Sequence, residues 1–157
     1  MKRIKLDKID RKILKNLQED GRITNVDLAK LVGISAPPCL RRVRALEEAG
    51  YIQGYYAKVD PHVLGYGVMV FAQVKLVSQA ESDLKKFEEQ LKVWPRVREA
   101  HMLAGETDFL LRIVAHDWDD YQNFLTHELT AASNVTSVKS SLAIRASKEA
   151  PGVPVEV

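Results

Sequence analysis

Apolar residues recur at helical spacing through the first third of the chain and then give way to a mixed pattern. From Asp7 onward, Ile9, Ile13, Leu14 and Leu17 share one helical face, and the turn dipeptide Asp20-Gly21 ends that run. Thr24 is placed to cap a second, short helix holding Val26, Leu28, Ala29, Leu31 and Val32, which Gly33 closes. A third helix begins after Ser35, a residue suited to N-capping, and runs to Gly50. Its first residues, Ala36, Pro37 and Pro38, sit where backbone N–H groups lack intrahelical partners, so proline costs little there. Three helices with a short glycine-containing connection between the second and third make a helix-turn-helix. The following YIQGYYAKVD alternates around Gly54 and predicts a short β-ribbon or wing.

Beyond residue 67 the periods alternate. Gly67 to Val77, Val97 to Ala104, Thr107 to Ala115 and Val135 to Arg145 read as strands, the middle two joined by a tight Gly105-Glu106 connection. Leu84, Phe87 and Leu91 mark one amphipathic helix, and Trp118, Tyr121, Phe124, Leu125 and Leu129 another. The order β-α-β-β-α-β is the ferredoxin-like plan, an antiparallel sheet with two helices over one face. The fold class is therefore α+β: a winged helix-turn-helix over residues 1–60, a linker over 61–67 and a ferredoxin-like domain over 68–157. The tail from Lys148, with Pro151, Gly152 and Pro154, is expected to be loose or to pack on a partner chain.

Composition sharpens this division. With 46% hydrophobic and 28% charged residues, the 157-residue chain has the balance of a soluble globular protein, and the cytoplasm is the default location. No apolar run approaches the roughly 20 residues that span a bilayer. Residues 1–60 carry 13 Lys and Arg against 8 Asp and Glu, a net of +5, while the remainder carries 10 against 13, a net of −3. A basic first module suits a polyanion, and the second has some other task. The single cysteine, Cys39, excludes an intrachain disulfide and reads as a packing residue. Four histidines (His62, His101, His116 and His127) follow no metal-site spacing, and no P-loop, dinucleotide fingerprint or nucleophile elbow is present, so neither metal nor cofactor is expected and catalysis has little support.

If the third helix turns Leu40, Val43 and Leu46 inward, Pro37, Pro38, Arg41 and Ala45 lie near its outer face, with Arg42 and Arg44 on the flanks. Arg41 is the candidate for reading guanine O6 and N7, the commonest specific contact in the major groove of double-stranded DNA. Pro37 and Pro38 allow close approach or touch thymine methyls, and Arg42 and Arg44 reach phosphates. Arg22, Asn25 and Ser35 lie near helix starts, where such motifs meet the DNA backbone. Lys2, Arg3 and Lys5 add attraction that salt weakens.

The stretches DGRITNVDLAK, PPCLRRVRALEEAGYIQGY and AGETDFLLRIVAHDWDDYQNFL give the chain, over essentially its whole length, a pattern that resembles the Lrp/AsnC family of feast-or-famine transcriptional regulators, nearest its leucine-responsive type. The resemblance implies homodimers that assemble further, often to octamers, a winged helix-turn-helix on DNA, and a C-terminal domain that binds small effectors, usually amino acids. On that basis Gly105, Glu106, Thr107 and Asp108 form the candidate effector site, with Leu103 and Ala104 beside them and Asn134, Thr136 and Ser137 closing the pocket from another subunit. Asp108 is the expected partner of an amino acid's ammonium, and replacing it is expected to leave the fold intact. Where the family commonly has a Leu-Pro-Gly-Val-like turn, this chain reads Ala132-Ser133-Asn134-Val135. Two other readings stand beside this one: an architectural DNA-binding protein without an effector, and an enzyme of ferredoxin-like fold.

Overall fold

The computed structural model describes residues 5–157, which form two compact units: residues 5–58 with 147–157, and residues 59–146. Lys2 and Arg3 lie outside the described residues.

In the first unit, α1 (Lys8–Glu19) starts with a reciprocal cap. The Asp7 carboxylate accepts from the N–H groups of Ile9 (2.8 Å) and Asp10 (2.9 Å), and Asp10 accepts in turn from the Asp7 N–H at 3.1 Å. Thr24 caps α2 (Asn25–Val32), which Gly33 closes in the left-handed region at φ 79°. Helix α3 spans Ala36–Glu48. Ser35 occupies its N-cap position, yet its hydroxyl caps nothing, since Pro37 and Pro38 hold the two positions whose N–H groups a cap would bind. At the other end Gly50, φ 75°, completes a Schellman closure: its N–H bonds the Glu47 carbonyl at 3.0 Å and the Tyr51 N–H bonds that of Leu46 at 2.9 Å.

Ile13, Leu28, Ala29, Val32, Cys39 and Leu46 make the core of this unit. Burying each large aliphatic side chain contributes about 1.5–3 kcal/mol. Cys39 has no exposed surface, and desolvation raises its thiol above the ordinary value, as befits a packing residue. The expected ribbon over residues 51–60 does not form: those residues pair with no strand, because a lone extended segment has no ladder to join. The segment is tied down instead by the Tyr55 hydroxyl, which donates to Glu47 at 2.9 Å; burial and that carboxylate push the phenol up to about 12. Nor is the C-terminal tail loose. It packs with this first unit rather than with residues 59–146.

The second unit is the ferredoxin-like sandwich. Strands β1 (Val68–Leu76), β2 (Val97–Met102), β3 (Phe109–Ala115) and β4 (Val135–Leu142) form one antiparallel sheet in the order β2-β3-β1-β4. Helices α4 (Glu81–Val93) and α5 (Trp118–Phe124) cover one face, and a π-helical turn, Leu125–Leu129, extends α5. There the Thr130 N–H reaches back five residues to the Leu125 carbonyl, a widening that helical spacing alone does not announce. Alternation along β1 sends Val70, Ala72, Val74 and Leu76 inward, and β3 likewise sends Phe109, Leu111, Ile113 and Ala115. Phe87, Trp94 and Phe124 meet above them, with ring centroids 6.0 and 5.6 Å apart in edge-to-face contact. The opposite sheet face leaves Phe71 exposed and Leu110 and Val114 half-buried. The connection between β2 and β3 is longer than the tight turn expected from sequence, running from Leu103 to Asp108 and closed by a 2.8 Å bond from the Leu103 N–H to the Asp108 carbonyl.

Two carboxylates give this unit its acid sensitivity. Arg96 pairs with Asp120, whose carboxyl also accepts from the His116 N–H, and both hold it below its ordinary 3.8; Arg112 lowers Glu99 below 4.5 in the same way. A carboxylate depressed in the folded state adds stability that is complete above its unfolded value and lost as pH falls through the folded one. Stability should therefore drop as pH falls below about 4. An Asp120→Asn variant should be less stable at neutral pH and show a shallower loss in acid, as read by circular dichroism in urea.

Candidate DNA interface and effector loop

The helix-turn-helix is fixed by two polar links. Asn25 Nδ2 donates to the Ala36 carbonyl at 2.9 Å, tying the start of α2 to the start of α3. Arg42 Nη1 lies 2.7 Å from Asp7 Oδ2 and 2.7 Å from Asp10 Oδ1, binding the side of α3 to the capped end of α1. These carboxylates raise the guanidinium's already high pKa, and Arg42 in turn helps keep Asp7 below its ordinary value. Two residues expected on the DNA backbone thus hold the motif together. Both follow from position: Asn25 is the first residue of α2, within reach of the next helix start, and Arg42 sits on the flank that meets α1, where two carboxylates compete successfully with water.

The remaining candidates face outward. Pro37, Arg41 and Arg44 on α3, Ser35 at its N-cap and Arg22 before α2 are exposed, and Pro38 is half-buried. Among the described residues, Arg41, Arg44 and the Arg22 guanidinium have no hydrogen-bond or ion-pair partner, and the Ser35 hydroxyl is likewise unengaged. Lys5 is exposed nearby in sequence. The face is therefore cationic and smooth, with free side-chain donors and, at Pro37 and Pro38, no backbone N–H.

In the second unit the Leu103–Asp108 loop stands at one end of the sheet. Leu103, Ala104, Gly105 and Glu106 are exposed, Thr107 is half-buried, and Asp108 is buried at 4% exposure. The two Asp108 oxygens are already occupied. One accepts from the Leu76 N–H and the other from Gln79 Nε2, each at 2.7 Å, so this carboxylate fastens the loop to the end of β1. Gln79 was not foreseen, because a lone glutamine in a loop carries no periodic or motif signal. Gly105 differs from the cap glycines: its φ is not positive, and a Cβ there would meet nothing within 4 Å. Neither its backbone nor its neighbours in the chain demand a glycine.

The other expected pocket residues are not gathered with the loop in one chain. Asn134 is buried, its backbone carbonyl accepts from the Val77 N–H at 2.8 Å, and its Nδ2 donates to the Asp83 carbonyl at 2.9 Å. It braces the turn before β4 against α4. Thr136 and Ser137 are exposed at the start of β4, which β1 separates from β3 by two strand spacings, about 10 Å. As for the histidines, His116 stacks on Tyr66 with centroids 4.4 Å apart, and His101 lies 3.5 Å from Glu99. Among the described residues no group of three His, Cys, Asp or Glu is placed to hold a metal ion. No described helix is long and apolar enough to cross a membrane.

A helix-turn-helix with unpaired outward arginines, joined to a ferredoxin-like unit with an open loop, defines a DNA-binding regulator with a ligand-binding domain. Comparison with known proteins agrees unit by unit. Residues 6–53 match the winged helix-turn-helix DNA-binding family, and residues 69–153 match the Lrp/AsnC ligand binding domain. The leucine-responsive regulatory protein of Rhizobium meliloti is 53% identical over 153 residues, covering 98% of both chains. The Bkd operon transcriptional regulator of Pseudomonas aeruginosa is 44% identical over 89% of this chain and 92% of its own. Among solved structures, a Neisseria meningitidis transcriptional regulator in complex with L-Met superimposes with a TM-score of 0.91 at 35% identity, over 96% of this chain and 97% of that one. The chain belongs to the Lrp/AsnC family of transcriptional regulators.

The bonds to Asp108 replace the expectation that its removal spares the fold. Asp108→Ala leaves the buried Leu76 N–H without an acceptor, and should destabilise the protein by about 1–3 kcal/mol in urea unfolding. Asp108→Asn, which keeps an acceptor, should lose less.

Proposed function

We propose that this protein reads a pseudo-palindromic DNA site as a homodimer, itself part of a higher assembly such as an octamer, and that an amino acid held at the Leu103–Asp108 loop changes its assembly or DNA affinity. The observation that carries the DNA half is the division among the arginines of α3. Arg42 is paired twice inside the fold, while Arg41 and Arg44 extend from the same helix with no partner among the described residues. Arg41 projects from the outer face and reads a base edge, preferably guanine, by a bidentate contact. Arg44, Arg22 and the Ser35 hydroxyl bind phosphates, Lys5 adds non-specific attraction, and Pro37 and Pro38 let the start of α3 approach closely. Arg42 and Asn25 act indirectly, by holding the helices in place.

For the effector half, the Neisseria meningitidis regulator was solved as a complex with L-Met, and this chain's loop carries groups suited to an amino acid. Gly105 leaves room for a ligand that its own chain does not use, and Thr107 supplies a hydroxyl. Asp108 positions the loop and offers a carboxylate to an ammonium, since it has lone pairs beyond the two used here. Thr136 and Ser137 face a neighbouring subunit's loop. Assembly hides the sheet face on which Phe71 is exposed and Leu110 and Val114 are half-buried beside the Arg112–Glu99 pair. A partner on the chromosome puts the protein in the cytoplasm.

Binding-site selection from random duplexes, followed by titration of the selected site and a scrambled one, tests the first half. Arg41→Ala should lose about 1–3 kcal/mol on the selected site and little on the scrambled one. Equal losses would move Arg41 to a phosphate. Arg44→Ala should weaken both and make the salt dependence shallower by about one unit in the log–log slope. For the second half, L-methionine and L-leucine are titrated calorimetrically, with sedimentation in parallel. Binding that shifts the oligomer or its DNA affinity is the expected result. No binding of either would leave an architectural role as the better account, and a monomer at micromolar concentration would refute the dimeric reading.

A further inference from the structure

The chain crosses between its two units twice. It leaves the DNA-binding unit after Lys58, builds residues 59–146, and returns for its last eleven residues. Those residues have a built seat. Arg11, Leu14 and Gln18 follow one another along a face of α1, and together with Leu6, Leu17, Tyr51 and the tail residues Pro151–Glu156 they wall a cavity of about 680 Å³, so the tail is one of its walls.

Three contacts make the seat specific. The Gln18 side-chain amide pairs with both backbone groups of Val153, donating to its carbonyl at 2.8 Å and accepting from its N–H at 2.9 Å, as a neighbouring strand would. Lys58 forms an ion pair with Glu149 at the tail's start, and Arg11 approaches the Glu156 carbonyl at 3.5 Å near its end. Between them, Gly152 is required twice over. Its φ of 60° is left-handed, and a Cβ there would lie 1.9 Å from Gln18 Oε1, so any side chain would displace the amide that holds Val153. None of the cavity's walls comes from α3, so a seated tail leaves Arg41 and Arg44 uncovered.

We propose that residues 149–156 are a releasable strap: docked against α1, they give the DNA-binding unit a second connection to the ligand-binding unit, and their seating sets affinity for paired DNA sites. The proposal rests on the paired-site reading above. Two recognition helices that engage one duplex must be oriented together, and a unit held by a single connection loses more freedom on binding than one held by two. Release of the strap thus weakens binding to two half-sites, and leaves binding to one half-site unchanged.

The test uses the full chain, its Gly152→Val variant, which alters only the tail, and Gln18→Ala, which alters only the seat. Amide exchange at Val153 reports docking. Affinity is measured for the selected duplex and for the same duplex with one half-site scrambled. Both variants should speed Val153 exchange, weaken two-site binding by about tenfold and leave one-site binding as in wild type. Equal losses on both duplexes would make the tail a brace for the helices and overturn the strap, as would unchanged affinities with Val153 freely exchanging, or a Val153 amide already unprotected in wild type. Wild type binding both duplexes equally would refute the paired-site reading and the strap with it, a failure visible before any variant is made.

Discussion

The pairing of Arg42 with Asp7 and Asp10 is the constraint on which the exposed face of α3 depends. Asp7 caps α1, Asp10 returns the bond, and the guanidinium joins that capped turn to the side of α3. Asp10 is largely buried, so the link works where solvent screening is weak on one side. With α3 held there and by Leu46 and Cys39 in the core, its rotation is fixed, and Arg41 and Arg44 are left outward. The same helix thus ties one arginine into the fold and leaves two others exposed, without a partner among the described residues. Net charge cannot distinguish these uses; the carboxylate geometry does.

A similar division runs through the ligand-binding unit. Asp108 is short, buried and bonded to the end of β1, while the loop preceding it is open. The anchored carboxylate holds an otherwise exposed loop in one arrangement, so that loop is ordered before anything touches it. β1 is central to this arrangement. It pairs with β3 on one side and β4 on the other, and its far end receives Asp108 from the first side and the Asn134 turn from the second.

Much was legible in the residues themselves. Helical spacing and caps placed α1, α2 and α3, and period-two alternation in β1 and β3 identified the buried sheet face, because each element must bury one face wherever it packs. The outward position of Arg41 followed from the same geometry. The Pro37-Pro38 pair belongs to a first turn, where it also silences Ser35, because two prolines remove the donors that a capping hydroxyl needs. Gly33 and Gly50 marked helix ends because left-handed backbone favours glycine.

Tertiary structure decided the partners that lie far apart in sequence. Arg42 meets Asp7 across 35 positions, Asp108 meets Leu76 across 32, and Gln18 meets Val153 across 135. Periodicity reports only which way a side chain points on its own element. Whether a charged or polar group ends in water or against another element depends on how the elements pack, and that is set by the shared core. The length of the β2–β3 connection, the absence of a ribbon after α3 and the return of the tail to α1 belong to the same class. Each is fixed by hydrogen bonds that become available only once distant segments have been brought together, so local sequence determined the elements and the packed fold determined which of their polar groups remained free to act.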